Sequence, residues 1–197
     1  MLLTAVSDDP SRAPSTQGLR HRLKVATAAA HHALDERLGQ FDLTTTAHYR
    51  RFLQASAAAL LPLEAALEQA GVAAYFEDWA RRRRSPAIIA DLADLDGVAI
   101  PMNLPIRRLD RAFMFGTLYV LEGSRLGAAY LVRVVAASAD PKVRRAMRYL
   151  GHGAGGGLWH SFLSQLSREP TTPDDEVATI ESACEAFAVF AKAVACA

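Results

Sequence analysis

Cysteine is nearly absent from this chain. Cys184 and Cys196 are its two thiols among 197 residues, and neither stands at a metal-binding spacing from a partner. A disulfide-stapled scaffold and a zinc module are therefore excluded, and a reducing, cytoplasmic setting is expected, with both thiols in ordinary packing. Charge of one sign is also lacking. With 22 Lys and Arg against 21 Asp and Glu, the net charge is +1, which leaves no general electrostatic case for nucleic acid or an anionic membrane surface. No apolar run reaches the roughly 18 to 20 uncharged residues of a membrane span. Glu122, Arg125 and Arg133 interrupt the best window. Alternating strand-like patterns are scarce, and the first residues, MLLTAVSDDPSRAPSTQG, carry no basic segment followed by an apolar core of the secretory type.

Hydrophobic residues make up 51% of the chain, and alanine and leucine are prominent among them, so an all-α protein is expected. The length suits one domain with a substantial core. Residues 1–17 are expected to form a disordered tail and residues 18–197 a single helical domain.

Leu19, Leu23, Ala26, Ala30, Leu34 and Leu38 recur at spacings of three and four and predict a first amphipathic helix over 18–38. Lys24, His31 and Asp35 fall within about 40° of one another beside that stripe, while His32 points farther toward solvent. A carboxylate one turn after a histidine can orient its ring, as second-sphere groups do for metal-ligating imidazoles. An ordinary solvated flank is the competing reading of the same trio.

A second helix is expected over 47–69, capped by Thr44 or Thr46, with Pro62 kinking or breaking it near Leu61 and Gly71 beyond its end. Tyr75, Phe76 and Trp79 form an aromatic patch before four consecutive arginines, Arg81 to Arg84. Without other clustered basic residues, that run reads as a solvated helix end. Ser85-Pro86 opens a short helix to about Leu95, Asp96-Gly97 closes it, and a loop with Pro101 and Pro105 follows. After the long helix described next, Asp140-Pro141 begins a helix expected to run through Leu150. The GHGAGGG stretch, 151–157, has no strand-turn-helix context and reads as a flexible connector. Helices over 158–166 and 174–195 complete the chain, with Pro170 and Pro173 between them, and Val177, Ile180, Cys184, Phe187 and Phe190 are expected to face inward in the last.

The stretch around which the rest is organised runs from Ala112 to Val135, AFMFGTLYVLEGSRLGAAYLVRVV. Its period is helical, and Gly116, Gly123 and Gly127 lie within roughly 40° of one another on one side. An interior glycine costs a helix about 0.8 to 1 kcal/mol against alanine, so three on one face need a cause. Close packing of another helix is one cause, and a planar ligand against the bare strip is the other.

Two segments in this order resemble the heme oxygenase family, in particular its bacterial branch associated with bacteriophytochromes. LKVATAAAHHALD, 23–35, is similar to the family's proximal helix, with Ala26, Thr27 and His31 matching its Ala-Thr-xxx-His core. LYVLEGSRLGAAYL, 118–131, is similar to the distal helix, and LWHSFLSQL, 158–166, is a weaker match. The resemblance implies a multi-helix bundle with heme held between proximal and distal helices, and heme serving as both cofactor and substrate. It implies His31 as ligand to the heme iron, Lys24 and His160 near the propionates, and Gly123, Gly127 and Ala128 against the macrocycle. Gly123, Ser124 and Gly127 would take the catalytic part, steering oxygen to one meso carbon and holding a distal water. The implied products are biliverdin, carbon monoxide and ferrous iron, with electrons from a ferredoxin or an NADPH-linked reductase and a bacteriophytochrome as a receiver of biliverdin.

This chain departs from the family pattern at several positions. Ser124 stands where many members have an aspartate, Ala128 and Ala129 replace a glycine and a glutamine, and His160 replaces a more basic residue. A heme carrier or sensor without turnover is the alternative those departures leave.

Overall fold

Small residues set the centre of the bundle. In the computed structural model, which describes residues 16–104, 108–169 and 172–197, the last helix carries a buried stripe of Glu176, Thr179, Ser182, Ala183, Ala186, Phe187 and Ala193. With few long side chains on that stripe, two other helices approach its backbone closely. The described helices are α1 (Thr16–Leu38), α2 (Thr46–Gln69), α3 (Trp79–Arg82), α4 (Ser85–Asp94), α5 (Arg111–Ala136), α6 (Pro141–Arg145), α7 (Leu158–Arg168) and α8 (Pro173–Ala195), with a 3₁₀ turn at Val72–Ala74. No strand occurs among the described residues, so the fold is all-α as expected.

Contacts along α8 fix the direction of its neighbours. From α1, Arg22 pairs with Glu176, His31 lies edge-on to Phe187 and Arg37 reaches the Ala191 carbonyl. From α5, Arg111 donates to Asp175 at 3.1 Å, and Gly116 sits against Thr179 and Ser182. Partner numbers rise together in both sets, so α1 and α5 both run parallel to α8.

Pro62 does not break α2, which continues to Gln69. Proline lacks the N–H that would bond the carbonyl four residues back. That carbonyl, on Ala58, instead accepts the backbone N–H of Met102 at 2.9 Å, so the loop between α4 and α5 supplies the missing donor. The helix after Asp140 is shorter than the pattern suggests, ending at Arg145. Buried Asp91 accounts for the early end, because its carboxylate takes the backbone N–H groups of Arg148 (3.1 Å) and Tyr149 (2.7 Å). The Tyr49 hydroxyl also donates to the Ala146 carbonyl. In α8, Val177 is exposed rather than inward, its place taken by Glu176 and Thr179. On α1, Thr27 is buried where Ala26 was expected.

The expected tail and two expected breakers lie outside the described residues, except that α1 already begins at Thr16: residues 1–15, Pro105 and Pro170. No described helix is long and apolar enough to cross a membrane.

Candidate heme site

The three glycines of α5 divide into two environments. A Cβ on Gly116 would lie 2.4 Å from the Thr179 carbonyl oxygen and 2.7 Å from Ser182 Cβ, so this glycine exists to seat α8. Gly123 would meet only the ring of Trp159, at 3.6 Å, and Gly127 would meet nothing within 4 Å. Helix packing thus accounts for Gly116, whereas protein leaves the backbone at Gly127 uncovered. Leu126 and Tyr130 share the face of the open glycines and are 60% and 64% exposed, giving that face large uncovered apolar side chains.

Thr27 of α1 lies at the hydroxyl of Tyr119 of α5, whose pKa is raised chiefly by burial. His31 follows Thr27 by one turn and Gly123 follows Tyr119 by one turn, each on the same helix face. Both helices run alongside α8 in one direction, so His31 on α1 and Gly123 on α5 each lie one turn beyond that contact. Phe187 of α8 touches His31 with ring centroids 5.8 Å apart. Trp159 of α7 flanks Gly123 and packs on Tyr119 at 5.6 Å. Two surface clefts, of about 410 Å³ beside Arg37 and Arg51 and about 490 Å³ beside Tyr75 and Arg168, contain none of these residues.

The two adjacent histidines differ in the nitrogen they leave free. His31 Nδ1 is 2.9 Å from the Asp35 carboxylate, which can only accept, so Nδ1 carries a proton, and in the neutral imidazole Nε2 is the nitrogen with the lone pair. His32 instead directs Nε2 to Glu36 at 3.2 Å, and its side chain is the more exposed of the two. No group of three or more His, Cys, Asp or Glu among the described residues is placed to hold a metal ion.

Lys24 is exposed two turns before His31, and His160 is exposed on α7 beside Trp159. The Ser124 hydroxyl donates to the Leu121 carbonyl at 2.8 Å and accepts from Arg84 Nη2 at 3.0 Å. Its proton is committed to the backbone. Ala128 is buried in the core, with its methyl already covered by protein, whereas the preceding Gly127 is open.

Behind the distal segment lies a set of buried charges that sequence reasoning missed. Arg82 and Arg84 are buried, which corrects the reading of Arg81 to Arg84 as a solvated helix end. Arg82 bonds Asp78 (2.7 Å), the Leu158 carbonyl (3.2 Å) and Ser161, and lies 3.4 Å from Glu122. The Arg84 guanidinium bonds the Leu121 carbonyl (2.9 Å) and stacks over Tyr149. Buried Glu64 accepts the backbone N–H groups of Arg84 (2.7 Å) and Ser85 (3.0 Å). Two glutamates on otherwise apolar helix faces, Glu64 and Glu122, were the available signal, since a buried carboxylate requires donors.

The described residues thus form an all-helical bundle in which His31 of α1 is held through Nδ1 by Asp35 and the backbone of α5 is uncovered at Gly127. The chain belongs to the heme oxygenase family, whose model matches residues 17–195. It is 29% identical over 180 residues to the heme oxygenase PigA of Pseudomonas aeruginosa, covering 88% of this chain and 90% of that protein. Its fold matches the NO- and CO-bound heme oxygenase of Neisseria meningitidis with a TM-score of 0.75 at 24% identity, over 89% of each chain. Family membership supports heme as the substrate and a heme-degrading oxygenase as the function.

Proposed function

We propose that the protein opens heme to biliverdin, carbon monoxide and ferrous iron, using O₂ and electrons from a ferredoxin or an NADPH-linked reductase. The observation that carries this reading is His31 on α1, held through Nδ1 by Asp35, together with the uncovered backbone at Gly127 of α5. When bound, heme supplies the redox-active iron and the carbon that is attacked. His31 would hold the iron from the proximal side, with Asp35 fixing its tautomer. Gly123 and Gly127 let the distal backbone approach the macrocycle, and Leu126 and Tyr130 on the same face exclude water from it. Lys24, two turns before His31, is available to a propionate, and His160 is exposed at the α7 side.

The Ser124 hydroxyl donates its hydrogen bond to the Leu121 carbonyl, so its remaining capacity is to accept from a distal water, which would carry the proton itself. That commitment is the observation behind a second reading, a heme carrier or sensor. Turnover separates the two. With hemin bound and a ferredoxin-based reducing system under air, the first reading predicts loss of the heme absorption, appearance of biliverdin and one equivalent of carbon monoxide. A heme band that survives reduction, with no carbon monoxide, would establish the carrier. A bacteriophytochrome receiving the biliverdin, and a cytoplasmic site of action, complete the proposal.

A further inference from the structure

We infer that Arg125 is a positioning residue that fixes the Gly123–Gly127 turn of α5, and that its hold on the 151–157 turn is loosened when His152 takes a proton. Arg125 follows Ser124 directly, yet its guanidinium points away from solvent and ties three separate segments together. Within α5 it bonds Glu122 through Nε (2.9 Å) and Nη2 (3.1 Å). Nη2 also donates to the Arg82 carbonyl at the end of α3, and Nη1 donates to the His152 carbonyl at 3.1 Å. Nη1 lies 3.1 Å from His152 Nδ1 as well.

The last contact sets the protonation state. A guanidinium has donors only, so His152 Nδ1 must be a lone-pair acceptor and the ring must be neutral. A proton on Nδ1 would place one N–H against another and one cation against another. The charged groups facing His152 are Arg125 and Glu122 from α5 and Arg84 from the start of α4, with Arg82 adjoining Arg125. Burial, then Arg125 and Arg84, lower its pKa below the ordinary value, so the clamp is closed at neutral pH and opens on acidification. The GHGAGGG stretch gains a purpose from this contact. Its turn brings a carbonyl and a ring nitrogen to one guanidinium, and Gly153, at φ 74°, leaves room where a Cβ would meet Leu158 Cδ1 at 2.6 Å and Arg125 Nη1 at 3.1 Å.

The bearing on heme chemistry rests on the proposed function, whereas the clamp itself can be tested without heme. Amide hydrogen exchange of the apoprotein, corrected for intrinsic rates, is compared between segments 121–131 and 112–118 from pH 7.5 to 4.5. Lysine at 125 keeps the charge but cannot bridge three segments, so Arg125→Lys should speed exchange in 121–131 by about tenfold at pH 7.5 and leave 112–118 unchanged. Wild type should approach the variant's rate as pH falls. His152→Asn, which retains an acceptor near the Nδ1 position and does not titrate, should keep the slow rate throughout. Unchanged or uniformly raised exchange in Arg125→Lys would overturn the clamp, and a pH response surviving in His152→Asn would overturn the role of His152. In the hemin complex, Arg125→Lys should shift the midpoint of the ferric acid–alkaline transition while the Soret band persists. An unshifted midpoint would reduce Arg125 to a structural tie, and a wild type that forms no heme complex would fail the proposed function while the exchange result still decides the clamp.

Discussion

Gly116 and the carbonyl of Thr179 are in such close register that a single added carbon would lie 2.4 Å from the oxygen. The neighbour is helix backbone, which cannot swing aside. Gly116→Ala is therefore expected to destabilise the protein by about 1–3 kcal/mol, as overpacking does. Gly127→Ala, in open space on the same helix, should leave apoprotein stability unchanged or raise it by up to about 1 kcal/mol. Gly127→Leu should fold normally and bind hemin weakly. Urea denaturation and hemin titration of the three variants check this division, and equal destabilisation by the two alanines would refute it.

The arginine run offers a sharp contrast between neighbours. Arg81 is exposed and Arg82 is 2% exposed, beside a Glu122 that is 1% exposed. Arg82→Met should cost about 3–5 kcal/mol, because it leaves a buried carboxylate short of a cation. Arg81→Ala should fall within about 0.5 kcal/mol of wild type. Denaturant midpoints at neutral pH decide the matter.

His31 and His32 are expected to differ in the same way toward heme iron. His31→Ala should abolish the axial ligand and His32→Ala should have little effect. Asp35→Asn removes the carboxylate that fixes the ring and should weaken iron ligation by about 10- to 100-fold without unfolding α1. Ferric spectra across a hemin titration report each case.

Acid stability follows from carboxylates at helix starts. The Asp140 pKa is lowered by the Thr46 hydroxyl and the Lys142 backbone N–H, and the Asp175 pKa by the Thr172 backbone and side chain. For a carboxyl lowered in the folded state, the stabilisation is complete above the unfolded value near 3.8 and is lost as pH falls through the lower folded value. Stability should therefore drop below about pH 4, and Asp140→Asn and Asp175→Asn should each flatten that decline. Buried Asp91, raised by desolvation, acts in the opposite sense. Denaturation curves between pH 5 and 2.5 measure the slopes.

Much of this was readable before any coordinates. Periodicity placed the long helices within a few residues, because amphipathic stripes such as Leu19, Leu23 and Leu34 are local properties of the chain. Membership of the heme oxygenase family was legible through the similarity of residues 23–35 and 118–131 to that family. What escaped were relationships between distant segments. The donor that lets α2 pass Pro62 comes from Met102, and the partners of Arg82 and Arg84 come from α2, α5 and α7. The division of the glycines was equally hidden, since Gly116 and Gly127 share a helical face and differ only in what lies opposite.

The most direct test of the central claim is a hemin titration of wild type and His31→Ala, each repeated with free imidazole. The account predicts a sharp one-to-one Soret band in wild type, its loss or shift in His31→Ala, and recovery when imidazole fills the space left by the side chain. A His31→Ala spectrum identical to wild type, or a wild type with no specific Soret band, would contradict it.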